Sequence, residues 1–144
     1  MLTSRLIFDE KERVGSWVAE RVGQLASWGD YYAMGAELDG ELVSGVVYNN
    51  VGASNATCHI AVSKPTKGFS KLLDHAYLYA FEQLGLRRLT VFVEATNHRS
   101  LKITSHIGFV DECVMKSAGD NGQDVIMKVL WPSNYRRGRK YGKK

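Results

Sequence analysis

Apolar residues recur at helical spacing in two long segments of the chain. Between Asp9 and Leu25 they lie three or four positions apart, with Asp9 placed to cap the helix and acidic residues in its first turn. A longer apolar stripe runs from Phe69 to Leu84, and Gly85 stands where a C-terminal cap belongs. These patterns predict two amphipathic helices.

Six other segments have the aliphatic and aromatic composition of β-strands and are bounded by turn residues. In chain order they are Tyr31–Leu38, Glu41–Tyr48, Ala56–Val62, Leu89–Ala95, Phe109–Ser117 and Asp124–Leu130. The Asp39-Gly40 pair predicts a tight hairpin, so the first three strands form an antiparallel meander and the last two a second hairpin. The long helix joins the third and fourth strands, which predicts a parallel crossover.

The order of elements predicts an α/β fold of the α+β kind, with a mixed, mostly antiparallel sheet flanked by helices. Asn97 is placed to cap a third, short helix that ends near His106. We expect one domain over residues 1–131 and a flexible basic tail over residues 132–144, because Pro132 and the composition beyond it suggest that the fold ends near Trp131.

The basic character of the chain belongs to its end. Residues 136–144 hold six of the 19 basic residues and no acid, which leaves 13 basic against 15 acidic residues before them. Two interpretations of this tail stay open: contact with a nucleic acid or the ribosome, or simple solvation.

The remaining composition argues for a cytoplasmic protein without a metal. No apolar run approaches the roughly 18 residues of a membrane span, and no leader pattern opens the chain, so we expect no membrane contact. Cys58 and Cys113, the only cysteines, lie in apolar strands and are expected to be buried thiols; His75, His98 and His106 lack the spacing of metal ligands.

A basic, glycine-containing loop joins the third strand to the long helix. A helix N-terminus offers free N–H groups and the positive end of its dipole, so it can hold an anion without a dedicated side chain. Gly68 permits close approach of the backbone, and Lys64 and Lys67 add positive charge. The loop is a candidate phosphate site.

Together with this loop, Asn97-His98-Arg99-Ser100 and Gly108-Phe109 make the chain resemble the GNAT acetyltransferase superfamily over nearly all of residues 1–131. The resemblance implies a central parallel strand pair splayed at an acetyl-CoA site. Ile60, Ala61 and Val62 would pair their backbone with the pantetheine arm. The other residues implied in coenzyme binding are Lys67, Gly68, Phe69 and Ser70, through N–H groups offered to the pyrophosphate, together with Asn97 and Ser100 of the second motif.

The chain departs from the family pattern at three positions. Pro65 replaces the usual Gln or Arg of the loop, Ser70 replaces its second glycine, and Thr104 stands where the family carries a tyrosine. That tyrosine often protonates the departing thiolate, so Thr104 is the candidate to assist the thiolate here, although its hydroxyl is a much weaker acid.

The general base has two candidates. Glu94 lies three residues before Asn97, at the strand position where ribosomal-protein members of the family carry a catalytic glutamate. His59 is the second candidate, because imidazole titrates near neutrality; a hydrogen-bonded core histidine and a solvated strand-end glutamate are the ordinary alternatives.

The resemblance implies an acetyl-CoA-dependent N-acyltransferase that acetylates a primary amine of a protein or a small molecule by direct attack in a ternary complex. The alternative is a GNAT-like assembly protein without turnover, as some phage-encoded relatives of the fold are, which makes this chain a candidate phage-encoded member. Such folds often form homodimers, so a homodimer is one open option here, but the sequence does not set the oligomeric state.

Overall fold

The computed structural model describes residues 3–136, which form seven strands and three α-helices. The strands are β1 (Ser4–Ile7), β2 (Tyr31–Leu38), β3 (Glu41–Asn49), β4 (Asn55–Val62), β5 (Arg88–Glu94), β6 (Val110–Met115) and β7 (Val125–Leu130). The helices are α1 (Lys11–Val22), α2 (Lys67–Leu78) and α3 (His98–Ile107), with a π-helical turn at Tyr79–Gln83 and a 3₁₀ turn at Pro132–Asn134.

All seven strands belong to one sheet, in the order β1-β2-β3-β4-β5-β7-β6. Every neighbouring pair is antiparallel except β4 and β5, which are parallel. That pair is hydrogen-bonded only where Asn55–Thr57 lies beside Arg88–Thr90. Beyond this point the two strands separate. The predicted mixed sheet with one splayed parallel pair is confirmed.

Helices cover the two faces of the sheet unequally. The larger core lies between the sheet and α2 and α3, with Leu72 and Ile107 among its members. On the other face, α1 packs Val14 and Val18 over the β2–β4 half of the sheet. None of the helices within residues 3–136 is long and apolar enough to cross a membrane.

The N-terminal region differs from the sequence prediction in three ways. Strand β1 precedes α1, although no element was predicted there. The N-cap is Glu10 rather than Asp9, and no side-chain hydrogen bond caps the helix. The helix ends at Gly23, which adopts a left-handed φ of 76°, so Leu25 lies outside it and is 98% exposed.

Two local predictions from turn and cap residues are confirmed. Asp39 and Gly40 both have positive φ angles, 53° and 84°, as the tight β2–β3 hairpin requires. Asn97 caps α3 by accepting a hydrogen bond from the Ser100 N–H at 3.1 Å. The helix predicted over residues 69–84 begins two residues earlier and turns π-helical after Leu78.

The packed chain continues past Trp131, where the sequence suggested its end. Tyr135 is 5% exposed, stacks on Tyr77 with ring centroids 4.5 Å apart, and donates a hydrogen bond to the Asp74 carboxylate at 2.6 Å. The next residue, Arg136, donates its N–H to the Ile107 carbonyl at 3.2 Å. Residues 132–136 therefore belong to the fold, and the rest of the predicted tail lies outside the described residues.

Replacing Tyr135 by Ala should destabilise the fold by about 3 kcal/mol, because it removes a buried ring and leaves the Asp74 carboxylate without this donor. Tyr135→Phe keeps the ring and should cost about 1–2 kcal/mol. Trp131→Ala, at a side chain 39% exposed, is the nearby control and should cost less than Tyr135→Ala. Urea unfolding measures all three; a Tyr135→Ala protein as stable as the wild type would contradict this packing.

Candidate functional site

The separation of β4 and β5 opens a cleft of about 610 Å³ in the middle of the sheet. Its walls are Cys58–Ser63 of the β4 side and Val91–Glu94 of β5. Residues from other elements complete the lining: Arg21, Val22, Gln24, Asn97, Arg99, Ser100, Ile103, Thr104, Ala118, Gly119, Asp120 and Val125. Most of the predicted coenzyme and catalytic residues thus lie around one space.

The β4 wall presents backbone as well as side chains. Ile60, Ala61 and Val62 pair with β3 on one side, but β5 has already diverged on the other. The main-chain groups that face β5 consequently have no strand partner among residues 3–136. Unpaired backbone donors and acceptors beside an open cleft are suited to an extended ligand that carries amides of its own.

The N-terminal half of α3 forms another part of the wall. Asn97 uses its side-chain oxygen to cap the helix, and Ser100 follows on the cleft side. Thr104 is buried, and its hydroxyl donates to the Ser100 carbonyl at 2.8 Å, with the Leu101 carbonyl at 3.2 Å. Thr104 must give up this bond before it can donate to a thiolate.

A buried lysine of β7, which the sequence did not indicate, supports α3 through hydrogen bonds. The Lys128 side chain is 1% exposed, and its Nζ donates to the Ser105 hydroxyl at 2.7 Å and the Leu101 carbonyl at 3.3 Å. Burial lowers the pKa of Lys128, and Asp111 at 3.7 Å partly offsets this. No sequence pattern signalled this residue, because a lone lysine in a strand is usually solvated.

The predicted phosphate loop lies beside the cleft rather than in its lining. Lys67, Gly68, Phe69 and Ser70 are absent from the cleft wall, which ends at Ser63. Thr66 makes no side-chain cap bond at the N-terminus of α2. Within the described part of the chain, the N–H groups of Lys67 and Gly68 have no hydrogen-bond partner. These donors remain available to an anion that reaches past Ser63.

Gly68 has a packing role that the motif did not suggest. A Cβ built there would lie 3.0 Å from the Ser4 hydroxyl and 3.5 Å from the Ala36 Cβ. The glycine therefore lets α2 approach β1 and β2 closely. A side chain at this position would strain the fold as well as any ligand site, so variants of Lys67 are the better probe of the loop.

The β5 wall contributes the predicted base. Glu94 lies on the same face of the sheet as Phe92, opposite the face whose Val93 belongs to the larger core. Its side chain is exposed at the cleft, and its carbonyl accepts the Asn97 N–H at 2.9 Å. Glu94 and Asp120 are the acidic side chains of the lining, and Arg21 and Arg99 the basic ones.

His59 sits on the β4 wall within a chain of hydrogen bonds. Its Nε2 lies 2.9 Å from the Asn49 Oδ1, and the Asn49 amide donates to the Trp28 carbonyl at 3.3 Å. The imidazole also lies 4.5 Å from the Trp28 ring. Burial lowers the pKa of His59 to about 4, so the ring is neutral near pH 7. The histidine is hydrogen-bonded and half-buried, as its apolar strand suggested, and it also lines the cleft.

The two cysteines differ in environment. Cys58 is buried, and burial raises the pKa of its thiol, which makes it a poor nucleophile. Cys113 is exposed on β6, contrary to the expectation that both thiols are buried. Within residues 3–136 no group of three or more His, Cys, Asp or Glu side chains is arranged to hold a metal ion.

Comparisons with known proteins give a match in fold alone. No protein-family model matches the sequence, and no curated protein matches it. Spermidine N-acetyltransferase from Vibrio cholerae, in a dodecameric structure, superposes with a TM-score of 0.69 at 18% identity, over 89% of this chain and 93% of that one.

Two further solved structures have a similar fold. The spermidine/spermine N-acetyltransferase SpeG from Vibrio cholerae, in mutant form, gives a TM-score of 0.70 at 17% identity, covering 93% and 95% of the two chains. RimJ from Mycobacterium smegmatis, in complex with CoA-disulfide, gives 0.64 at 19% identity, covering 89% and 81%. At such identities the likeness shows the fold, which is that of GNAT acetyltransferases.

The half-buried, neutral His59 should make the fold acid-sensitive. Its pKa is lowered from 6.5 to about 4, so the unfolded chain binds a proton between these values and the folded chain does not. The free energy of unfolding should therefore fall as the pH drops from 6.5 through about 4, by a total of about 3 kcal/mol from this group. His59→Gln should lose this component.

The measurement is urea unfolding at pH 7, 5.5 and 4 for wild type and His59→Gln, with His75→Gln as an exposed histidine control. The carboxylates titrate in all three proteins, so their contribution to the pH dependence of the free energy of unfolding cancels when the proteins are compared. Parallel pH dependence of wild type and His59→Gln would contradict a half-buried imidazole that stays neutral in the folded protein.

Proposed function

We propose that the protein is an acetyl-CoA-dependent N-acetyltransferase that acetylates a primary amine. The single observation that supports this best is the open cleft where β4 and β5 part, with the β4 backbone unpaired along it. The fold is shared with N-acetyltransferases, and one structure of that fold, RimJ, carries a CoA derivative.

Acetyl-CoA would lie along β4 with its phosphates toward α2. The pantetheine amides would pair with the backbone of Ile60, Ala61 and Val62, while Asn97 and Ser100, which also line the cleft, would contact the coenzyme from the start of α3. The pyrophosphate would accept hydrogen bonds from the N–H groups of Lys67 and Gly68 at the start of α2, whereas the N–H of Phe69 already donates to the Thr66 carbonyl at 3.0 Å. No acidic residue in that first turn opposes the phosphates.

The charges of the cleft favour an acceptor with a single ammonium group. Its described lining holds Glu94 and Asp120 against Arg21 and Arg99, so it has no excess of negative charge. If Arg99 at the start of α3 serves the coenzyme, one net negative charge remains for the acceptor. The name of the Vibrio cholerae neighbour gives spermidine as its substrate. Such a polycation would gain little electrostatic attraction in this cleft, and a peptide amine or a small monoamine fits better.

The reaction proposed is direct attack in a ternary complex. Glu94, through a water molecule, takes a proton from the ammonium, because only the neutral amine is a nucleophile. The amine nitrogen then bonds to the thioester carbonyl carbon, the carbon–sulfur bond breaks, and the nitrogen loses its second proton to water. The thiolate is protonated by solvent or assisted by Thr104, whose hydroxyl first leaves the Ser100 carbonyl.

The alternative, an assembly protein without turnover, rests on Pro65, Ser70 and Thr104, the three departures from the family pattern. The open cleft favours the enzyme, since an assembly protein has no need to keep it empty. The phage-encoded origin, the homodimer and the contact of residues 136–144 with a nucleic acid or the ribosome stay predictions, as does a cytoplasmic location.

Acetyl-CoA should bind the wild type with micromolar affinity in calorimetric titration. Lys67→Glu reverses a charge at the α2 N-terminus and should weaken binding about tenfold. Lys102→Glu, the same change at an exposed position of α3 outside the cleft lining, is the matched control and should bind like the wild type. Absence of binding by the folded wild type would overturn the proposed function and favour the assembly protein.

Glu94→Gln should lower kcat about a hundredfold for an accepted amine, because the amide cannot take the proton. Acetyl-CoA affinity should not change. Acceptors come from a panel of peptide α-amines, lysine peptides, small monoamines and spermidine, and Glu41→Gln is the exposed control. Unchanged turnover and pH profile in Glu94→Gln would show that another group is the base.

A further inference from the structure

The hydrogen bonds around His59 fix which of its ring nitrogens carries the proton. The Asn49 amide donates to the Trp28 carbonyl, which sets the orientation of the side-chain amide and turns its oxygen toward His59. An amide oxygen only accepts hydrogen bonds, so the His59 Nε2 must be the donor. In a neutral imidazole the other nitrogen, Nδ1, then carries a lone pair.

The lone pair on Nδ1 has no hydrogen-bond donor among residues 3–136. Within the same residues, this atom is not among the buried polar atoms that lack a partner. It is therefore open to solvent in the cleft that His59 lines. A half-buried acceptor with a fixed orientation costs stability by desolvation unless something donates to it.

The position of His59 places this acceptor beside the reaction proposed above. Strand alternation sets His59 and Ala61 on the α1 face of β4, where both contact the smaller core or its Trp28. Glu94 lies on the same face of β5, across the cleft. In the proposed complex, an amine entering from this face would pass between His59 and Glu94 on its way to the thioester.

We propose that His59 is a binding residue for the acceptor: its Nδ1 accepts a hydrogen bond from the attacking amine and orients the nitrogen lone pair toward the thioester carbonyl. Asn49 and Trp28 are the positioning residues that hold this tautomer. The inference rests on the proposed function and assigns His59 a role other than that of the base, since the proton goes through water to Glu94.

His59→Gln is a sharp variant for this proposal. The glutamine amide can still donate to the Asn49 oxygen, so the structural hydrogen bond is kept, but the acceptor at the Nδ1 position is replaced by an amide oxygen that lies elsewhere. We expect kcat/KM for the amine to fall about ten- to a hundredfold. The dissociation constant of acetyl-CoA, measured by calorimetry, should stay within about twofold of the wild type, and His75→Gln should match the wild type in both.

Asn49→Asp provides an independent second variant. A carboxylate beside Nε2 should raise the pKa of His59, so that Nδ1 becomes protonated at a higher pH and ceases to be an acceptor. The charged groups that share the cleft with His59 are Arg21, Glu94, Arg99 and Asp120, and Cys58 adjoins it in sequence; all are unchanged by this substitution. The acidic limb of the pH–rate profile should move upward with the pKa of His59.

Nitrogen-detected NMR of the imidazole completes the test without reference to turnover. In the free wild type it should report a neutral His59 with the proton on Nε2, and a proton on Nδ1 would overturn this proposal alone. Full activity of His59→Gln with normal acetyl-CoA binding would also overturn it alone. Failure of the wild type to bind acetyl-CoA would overturn the proposed function, and the assignment of His59 to the amine with it.

Discussion

The separation of β4 from β5 after three residue pairs is the feature on which the rest of the site depends. Both strands must lie in one sheet to share its core, yet the pairing stops at Thr57 and Thr90. The strands then border a cleft that is lined by residues of both. The antiparallel neighbours β3 and β7 hold the two diverging strands in place, so the opening costs only the hydrogen bonds between them.

Support for the cleft comes from both layers of the fold. On one face, α3 begins at the capped Asn97 and is anchored from below by the buried Lys128. On the other, α1 and the segment after it bring Trp28 against His59, whose ring is fixed through Asn49. The groups that would meet coenzyme and acceptor are thus held by contacts that need no ligand, which is the preorganisation that a transferase requires.

The sequence predicted most of the helices and strands because the residues that determine them lie close together in the chain. The hairpin at Asp39-Gly40, the Asn97 cap and the stripe of α2 each depend on residues a few positions apart. Strand β1 carries no such signal, since four residues paired at a sheet edge lack a period. The packing of Tyr135 on Tyr77 joins residues far apart in sequence, and no pattern near Trp131 could reveal it. In the site, Ile60, Val62, Glu94 and Ser100 were candidates implied by the resemblance to the GNAT family, and they line the cleft. Asn49 was missed because its contact with His59 follows from the β3–β4 register, in which His59 lies opposite Val47.

The proposed binding of acetyl-CoA along the unpaired edge of β4 is best examined by amide hydrogen exchange with and without acetyl-CoA, because exchange reports on that edge itself. We expect the amides within residues 60–62 that face β5 to exchange more slowly when acetyl-CoA is present, together with the first N–H groups of α2. Unchanged exchange at residues 60–62, with protection elsewhere in the fold, would contradict this assignment.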